Sequence, residues 1–138
     1  MDDLVERDGL YYQKFNDVPF TGEVTGGEQG SFKSGVPEGA WLWYWSNGDL
    51  FKKGNYKNGQ REGAWVSYFQ NGQLVYKGNY KNGVPEGALV RYHKNGQLSY
   101  KSNFKNGKRE GASVSYNENG TVDKELTGTF KDGVKISD

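Results

Sequence analysis

Four glutamates, Glu38, Glu62, Glu86 and Glu110, stand in one recurring setting, Glu-Gly-Ala. A carboxylate is a natural general acid or base, but catalysis needs a unique, asymmetric constellation. Four equivalent copies offer none, and their place beside turn-forming residues suits a loop role, accepting backbone N–H groups. His93 is the only histidine and there is no cysteine. With no second ligand at metal-binding spacing, neither a metal nor another cofactor is expected. Ser67, Ser113 and Ser115 lack a Ser-His-Asp context, and no glycine-rich stretch opens a helix that could cradle phosphate. Lys53, Lys77 and Lys101, with Lys57, Lys81 and Lys105, form ladders that would suit anionic lipid. Their rungs fall about 10 Å apart if each unit contributes two strands, roughly one Debye length. A solvated edge that discourages strand pairing accounts for them.

The aromatic residues carry the strongest signal. Trp41, Trp43, Trp45 and Trp65, with Phe51 and Phe69, crowd into residues 41–69. Tryptophan is the best cation–π partner and dominates measured binding hot spots. These six residues are the candidate binding surface, for a protein partner or a second copy of the chain. A second packing layer is the alternative, and a small cationic ligand of the choline type a third. Choline-binding repeats would keep a tryptophan in every unit, whereas here it disappears after Trp65.

The elements that hold these residues repeat. Gly54 to Lys77 reads GNYKNGQREGAWVSYFQNGQLVYK, and closely related units begin at Gly30, Gly78 and Ser102. A broken fifth unit opens at Gly128, after a two-residue insertion. Fixed-period self-similarity means a repeat architecture. The division is therefore an atypical N-terminal cap hairpin with its polar lead over 1–29, then units 30–53, 54–77, 78–101, 102–127 and a partial 128–138. Each full unit carries Asn-Gly, the strongest short hairpin signal, flanked by alternating apolar residues. The segments between turns are too short for helices. These features define an all-β fold, a single-layer twisted antiparallel meander of about eleven strands. In the cap, strands are expected over Leu10 to Phe15 and Phe20 to Thr25, with residues 1–8 frayed.

Register decides the faces. A three-residue loop around Asn71, with Gly72 left-handed, pairs Tyr68 with Leu74. Carried along the strands, that register groups the positions that vary least between units. They are Leu42, Val66, Val90 and Val114; Tyr44, Tyr68, Tyr92 and Tyr116; Leu50, Leu74 and Leu98; and Tyr56, Tyr80 and Phe104, with Gly54 and Gly78 making room for a neighbouring ring. Such sameness marks this face as the expected core. The opposite face fades from aromatic to polar, N-terminus to C-terminus.

The unit G-x-W-x-x-Y-x-x-N-G-x-L followed by G-x-Y-K-N-G resembles the MORN repeat, in the variant found in YwqK-family antitoxins. Glu62-Gly63-Ala64-Trp65 with Tyr68, Asn71-Gly72 and Leu74 carries the likeness, and Leu89 and Ser113 depart from it. The resemblance implies a non-enzymatic protein-binding array, in its sharpest form an antitoxin or immunity protein of bacteria that masks a toxin. A self-associating or membrane-surface scaffold is the alternative. A net charge of +1 argues against a nucleic-acid partner. The longest apolar run, Ala40 to Trp45, is too short to span a bilayer. A cytoplasmic chain is the default expectation, and an exported mature chain the other.

Overall fold

The computed structural model describes residues 3–14, 16 and 18–138. The described residues form fourteen strands and no helix. They are β1 (Leu4–Arg7), β2 (Leu10–Gln13), β3 (Gly22–Val24), β4 (Glu28–Lys33), β5 (Val36–Tyr44), β6 (Leu50–Lys57), β7 (Gln60–Arg61), β8 (Gly63–Tyr68), β9 (Leu74–Lys81), β10 (Val84–Tyr92), β11 (Leu98–Lys105), β12 (Lys108–Ser115), β13 (Gly128–Lys131) and β14 (Val134–Ser137). From β3 to β14 they build one twelve-stranded sheet in chain order, with the short β7 beside β6. Every pairing is antiparallel, as a meander joined by tight turns requires.

Two turn chemistries alternate. In Asn58-Gly59, Asn82-Gly83 and Asn106-Gly107 both residues have positive φ, and Asp8-Gly9, Ser34-Gly35 and Asp132-Gly133 share that geometry. Two successive left-handed residues match the right-handed strand twist, which is why Asn-Gly sits there. At the other end of each hairpin only the glycine is left-handed, with Gly72 at φ 87. There Tyr68 pairs with Leu74, as the three-residue loop requires, and Asn71 Oδ1 accepts the Gln73 N–H at 2.9 Å.

The four glutamates meet the first set of turns. Glu38, Glu62, Glu86 and Glu110 accept the backbone N–H of Asn58, Asn82, Asn106 and Asp132 at 3.0, 3.1, 2.9 and 2.9 Å. Each carboxylate satisfies the turn of the next hairpin, so it ties unit to unit. His93 Nε2 likewise donates to the Tyr116 carbonyl at 2.8 Å, one unit on.

The faces divide differently from the expectation. Trp43 pairs with Lys52 but Tyr44 pairs with Leu50, so Phe51 is an extra residue, a β-bulge. The same irregularity recurs between Ser67 and Tyr68 and between Arg91 and Tyr92. A bulge reverses the in–out alternation beyond it. Gly54 and Tyr56 therefore join Trp41 and Trp43, rather than Leu42 and Tyr44. The buried side is this aromatic face, where Phe32, Trp41, Trp65, Leu89 and Phe130 are the buried apolar residues. The face whose residues repeat most closely is only half-buried. Its sameness reflects equivalent half-exposed positions. Lys53, Lys77 and Lys101 are exposed on that face, inside the sheet rather than along an edge.

Both ends are capped. β1 and β2 form a separate hairpin through Asp8-Gly9, so Leu4–Arg7 is strand rather than frayed chain. β3 pairs with β4 and not with β2, which replaces the expected cap hairpin; Phe15 lies outside the described residues. The cap holds by Tyr11 N–H to Gly35 O and Phe20 N–H to Tyr11 O, both 2.8 Å, and by Tyr11 and Phe20 packing on Phe32. At the other end Val122 still bridges Tyr116, residues 123–127 leave the sheet, and β13 pairs directly with β12.

Candidate functional site

The aromatic face is organised in rows running across the strands. The deepest row is Trp41, Gly54, Trp65, Gly78, Leu89, Ser102, Ser113 and Gly128, linked by direct pairings on β5–β6, β8–β9, β9–β10, β10–β11, β11–β12 and β12–β13. Large and small residues alternate for a steric reason. A Cβ placed on Gly54 would lie 2.0 Å from the Trp65 indole, and one on Gly30 2.1 Å from the Trp41 indole. The indoles lie flat over the glycines, and Trp65 donates Nε1–H to Asn55 O as Trp41 does to Ser31 O, each at 3.2 Å. Where the large residue is lost, the glycine goes too. Ser102 and Ser113 face each other with Oγ atoms 2.5 Å apart. Ser113 also donates to Leu126 O, and Ser115 N–H donates to Thr127 Oγ1, so the polar end of this face is buried beneath the C-terminal cap.

A second row passes through Glu28, Trp43, Lys52, Ser67, Tyr76, Arg91, Tyr100 and Ser115, every neighbouring pair in register. Ser67 is its smallest central member and is itself buried. Where Trp43 and Arg91 fill the equivalent position, Ser67 leaves a hollow. The result is an open cleft of about 400 Å³. Lys52, Arg61 and Arg91 line it together with Phe51, Tyr76, Tyr80 and Tyr100.

Ring faces hold two of these cations. Lys52 Nζ lies 4.4 Å from the Trp43 ring centre, and the Arg61 guanidinium 4.5 Å from that of Trp65. The two indoles are 5.6 Å apart. Arg61 Nη1 also donates to the Tyr76 and Tyr80 hydroxyls, each at 3.3 Å. Burial pushes the Lys52 ammonium below its ordinary value, and Arg61 adds to the fall, while Glu28 opposes it. Burial raises the Tyr56 and Tyr76 phenols, with Arg61 working against it in both. For Arg61 burial works downward, but the phenols of Tyr76, Tyr80 and Tyr56 outweigh it and favour the cation.

The six candidate residues separate. Trp41 and Trp65, at 3% and 0% exposure, are buried in the sheet's own packing and present no surface to a partner. Trp43 is half-buried and supports Lys52. Trp45 packs against Phe51 in a tilted pair, ring centres 4.3 Å apart, and Phe51 reaches the cleft rim. Phe69 lies at the loop end beside Asp49 and Leu50, away from the cleft. Sequence reasoning passed over Lys52, Arg61, Tyr76, Arg91 and Tyr100. Arg61 was findable, because it stands where units one and three carry Pro37 and Pro85.

Fold and face together define a class: a β-hairpin repeat array with a self-packed aromatic side. The MORN repeat variant matches residues 37–58, 61–82 and 85–106, and the chain thus carries tandem MORN repeats. The matched segments end at residue 106, so most of the fourth unit, including Ser113 in the tryptophan position, lies beyond them. No curated protein matches the chain.

Proposed function

We propose that the chain is a non-catalytic protein-binding module whose working surface is the row from Trp43 to Tyr100. One observation carries this reading. Along that row no two neighbouring strands present the same side chain, and the equivalent positions Trp43, Ser67 and Arg91 of units one to three all differ. The row is half-exposed or exposed at Trp43, Lys52, Tyr76, Arg91 and Tyr100, while the opposite face repeats itself. Recognition of one particular partner needs a surface without internal repetition, and Tyr, Trp and Arg are the residues enriched at interfaces. The residues first weighed for acid–base chemistry have structural partners instead, the four glutamates in turns and His93 on a carbonyl. In its sharper form the module is an antitoxin that masks a toxin, a reading supported by the resemblance of its units to those of such proteins.

The test places a photo-crosslinking phenylalanine analogue at Tyr100 or, on the opposite face, at Tyr92, in the living source cell. A discrete protein adduct from position 100, absent from position 92, is the expected result. Adducts from position 92 alone would refute the assignment. For the antitoxin form, co-expression with a neighbouring toxin-like reading frame should restore growth, and Arg91→Glu should abolish the rescue.

A further inference from the structure

We propose that the Lys52–Arg61–Arg91 cleft receives the carboxylate of an acidic, extended peptide segment of the partner. The inference rests on the protein-binding reading and names the chemistry that would be recognised. Three cations line the cleft and no carboxylate does. Among the described residues no carboxylate lies within ion-pair distance of any of the three; Glu28 acts on Lys52 only from the end of the row. Like charges in a half-buried site repel and are poorly hydrated, so the arrangement costs stability unless something compensates. Indole faces and phenols compensate in part, and an arriving anion would complete the compensation.

The donors suit a carboxylate. Tyr76 and Tyr80 accept from Arg61 Nη1 and share a hydrogen bond with each other, which leaves one phenol O–H of the pair to donate. Arg91 lies between Tyr76 and Tyr100 in register and is exposed, free to close over a ligand from the open side. The walls decide between an acidic side chain and a bare anion. Phe51, Val75 and Leu89 form apolar lining next to the cations, which fits the methylenes of a glutamate and an apolar neighbour. About 400 Å³ holds one or two side chains, and too little for a folded element.

The experiment follows amide and indole N–H resonances of the full chain during titration with the hexapeptide Glu-Phe-Glu-Phe-Glu-Phe. The same peptide with glutamine for glutamate, inorganic phosphate, and vesicles of phosphatidylcholine with phosphatidylserine are titrated in parallel. Saturable shifts at Lys52, Arg61, Tyr76 and Arg91 are expected with the acidic peptide. Its affinity should fall at least about tenfold for the glutamine peptide, for Arg91→Gln and for Lys52→Gln, a loss of about 1.4 kcal/mol or more. Arg91 is exposed and Lys52 half-buried, glutamine keeps much of either side chain's length, and spectra away from the cleft report directly whether the variants fold. Equal binding of the glutamine peptide overturns the acidic-segment proposal and leaves the protein-binding reading standing. Phosphate reproducing the same shifts at the same concentration overturns it in favour of a free-anion site. Vesicle binding without peptide binding overturns both readings in favour of a membrane surface. No response to any probe overturns the proposal, and the crosslinking result then judges the module by itself.

Discussion

At the scale of single residues, the fold turns on large side chains laid over absent ones. Gly54 has ordinary backbone angles, so its role is purely steric: a methyl there meets the Trp65 ring at 2.0 Å. Gly54→Ala should therefore cost about 2–3 kcal/mol, the upper end for overpacking. Gly78→Ala meets the more adaptable Leu89 at 2.9 Å and should cost roughly 1 kcal/mol. Gly48→Ala enters open space but at φ 91, and should also cost roughly 1 kcal/mol through backbone strain alone. Urea unfolding gives the order, and a Gly54 variant as stable as the parent would refute the packing. Natural variation within the chain supplies a sharper test. Gly54→Ser combined with Trp65→Ser reproduces the Ser102–Ser113 pair, so the double variant should lose less than the sum of the singles by over ~1 kcal/mol. The fading of Trp41, Trp65, Leu89 and Ser113 was plain in the sequence. That Gly30, Gly54, Gly78 and Ser102 fade in step with them, on the same face, was not.

The reason lies at the scale of the element. Turn positions, the meander, the Tyr68–Leu74 register and the glutamates' role as acceptors of backbone N–H were legible because each has a compositional mark: Asn-Gly, alternation, a fixed Glu. That each carboxylate reaches the turn of the next unit was not. The bulge at Phe51 has none. Its extra residue takes a conformation open to ordinary side chains, and yet it decides which face Gly54 and Tyr56 join. Deleting Val75, the equivalent residue in β9, should reverse the facing of Tyr76 to Tyr80 and so abolish the near-ultraviolet signal of the packed tryptophans. An unchanged spectrum would mean that the bulge is dispensable. The carboxylate ties are weaker devices. Glu62→Ala removes the acceptor for Asn82 N–H and should cost about 0.5–1.5 kcal/mol, the net worth of one such bond. Glu62→Gln keeps an oxygen in place and should cost less. Equal losses in thermal melts would assign the effect to charge rather than to the turn.

For the whole molecule, stability is a sum over stacked units, and two measurements read that sum. The first is its pH dependence. Burial holds Tyr11, Tyr56 and Tyr76 above the ordinary phenol value of 10.0. Their contribution is complete below that value and disappears as pH rises through their folded values. Lys52 acts oppositely. Its folded value lies below 10.5, so the charged form is penalised at neutral pH and the penalty lifts as pH rises through that folded value. Unfolding midpoints should climb slightly toward pH 10 and fall beyond it, with Lys52→Met removing the climb and sparing the fall. The second measurement is truncation. Removing residues 121–138 takes away the buried Phe130 and the Leu126 and Thr127 partners of Ser113 and Ser115. It also leaves β12 as an open edge. In a repeat array each unit leans mainly on its neighbours, so units one to three should persist while the fourth frays. Exposed strand edges template pairing, so the shortened chain should associate in a concentration-dependent way. Removing residues 1–9 takes away β1 but leaves Tyr11 on Phe32 at 4.9 Å, and should cost on the order of 1 kcal/mol or less. Light scattering and hydrogen exchange on both truncations decide the matter: a monomeric C-terminal truncation, protected throughout β12, would refute the capped-array account.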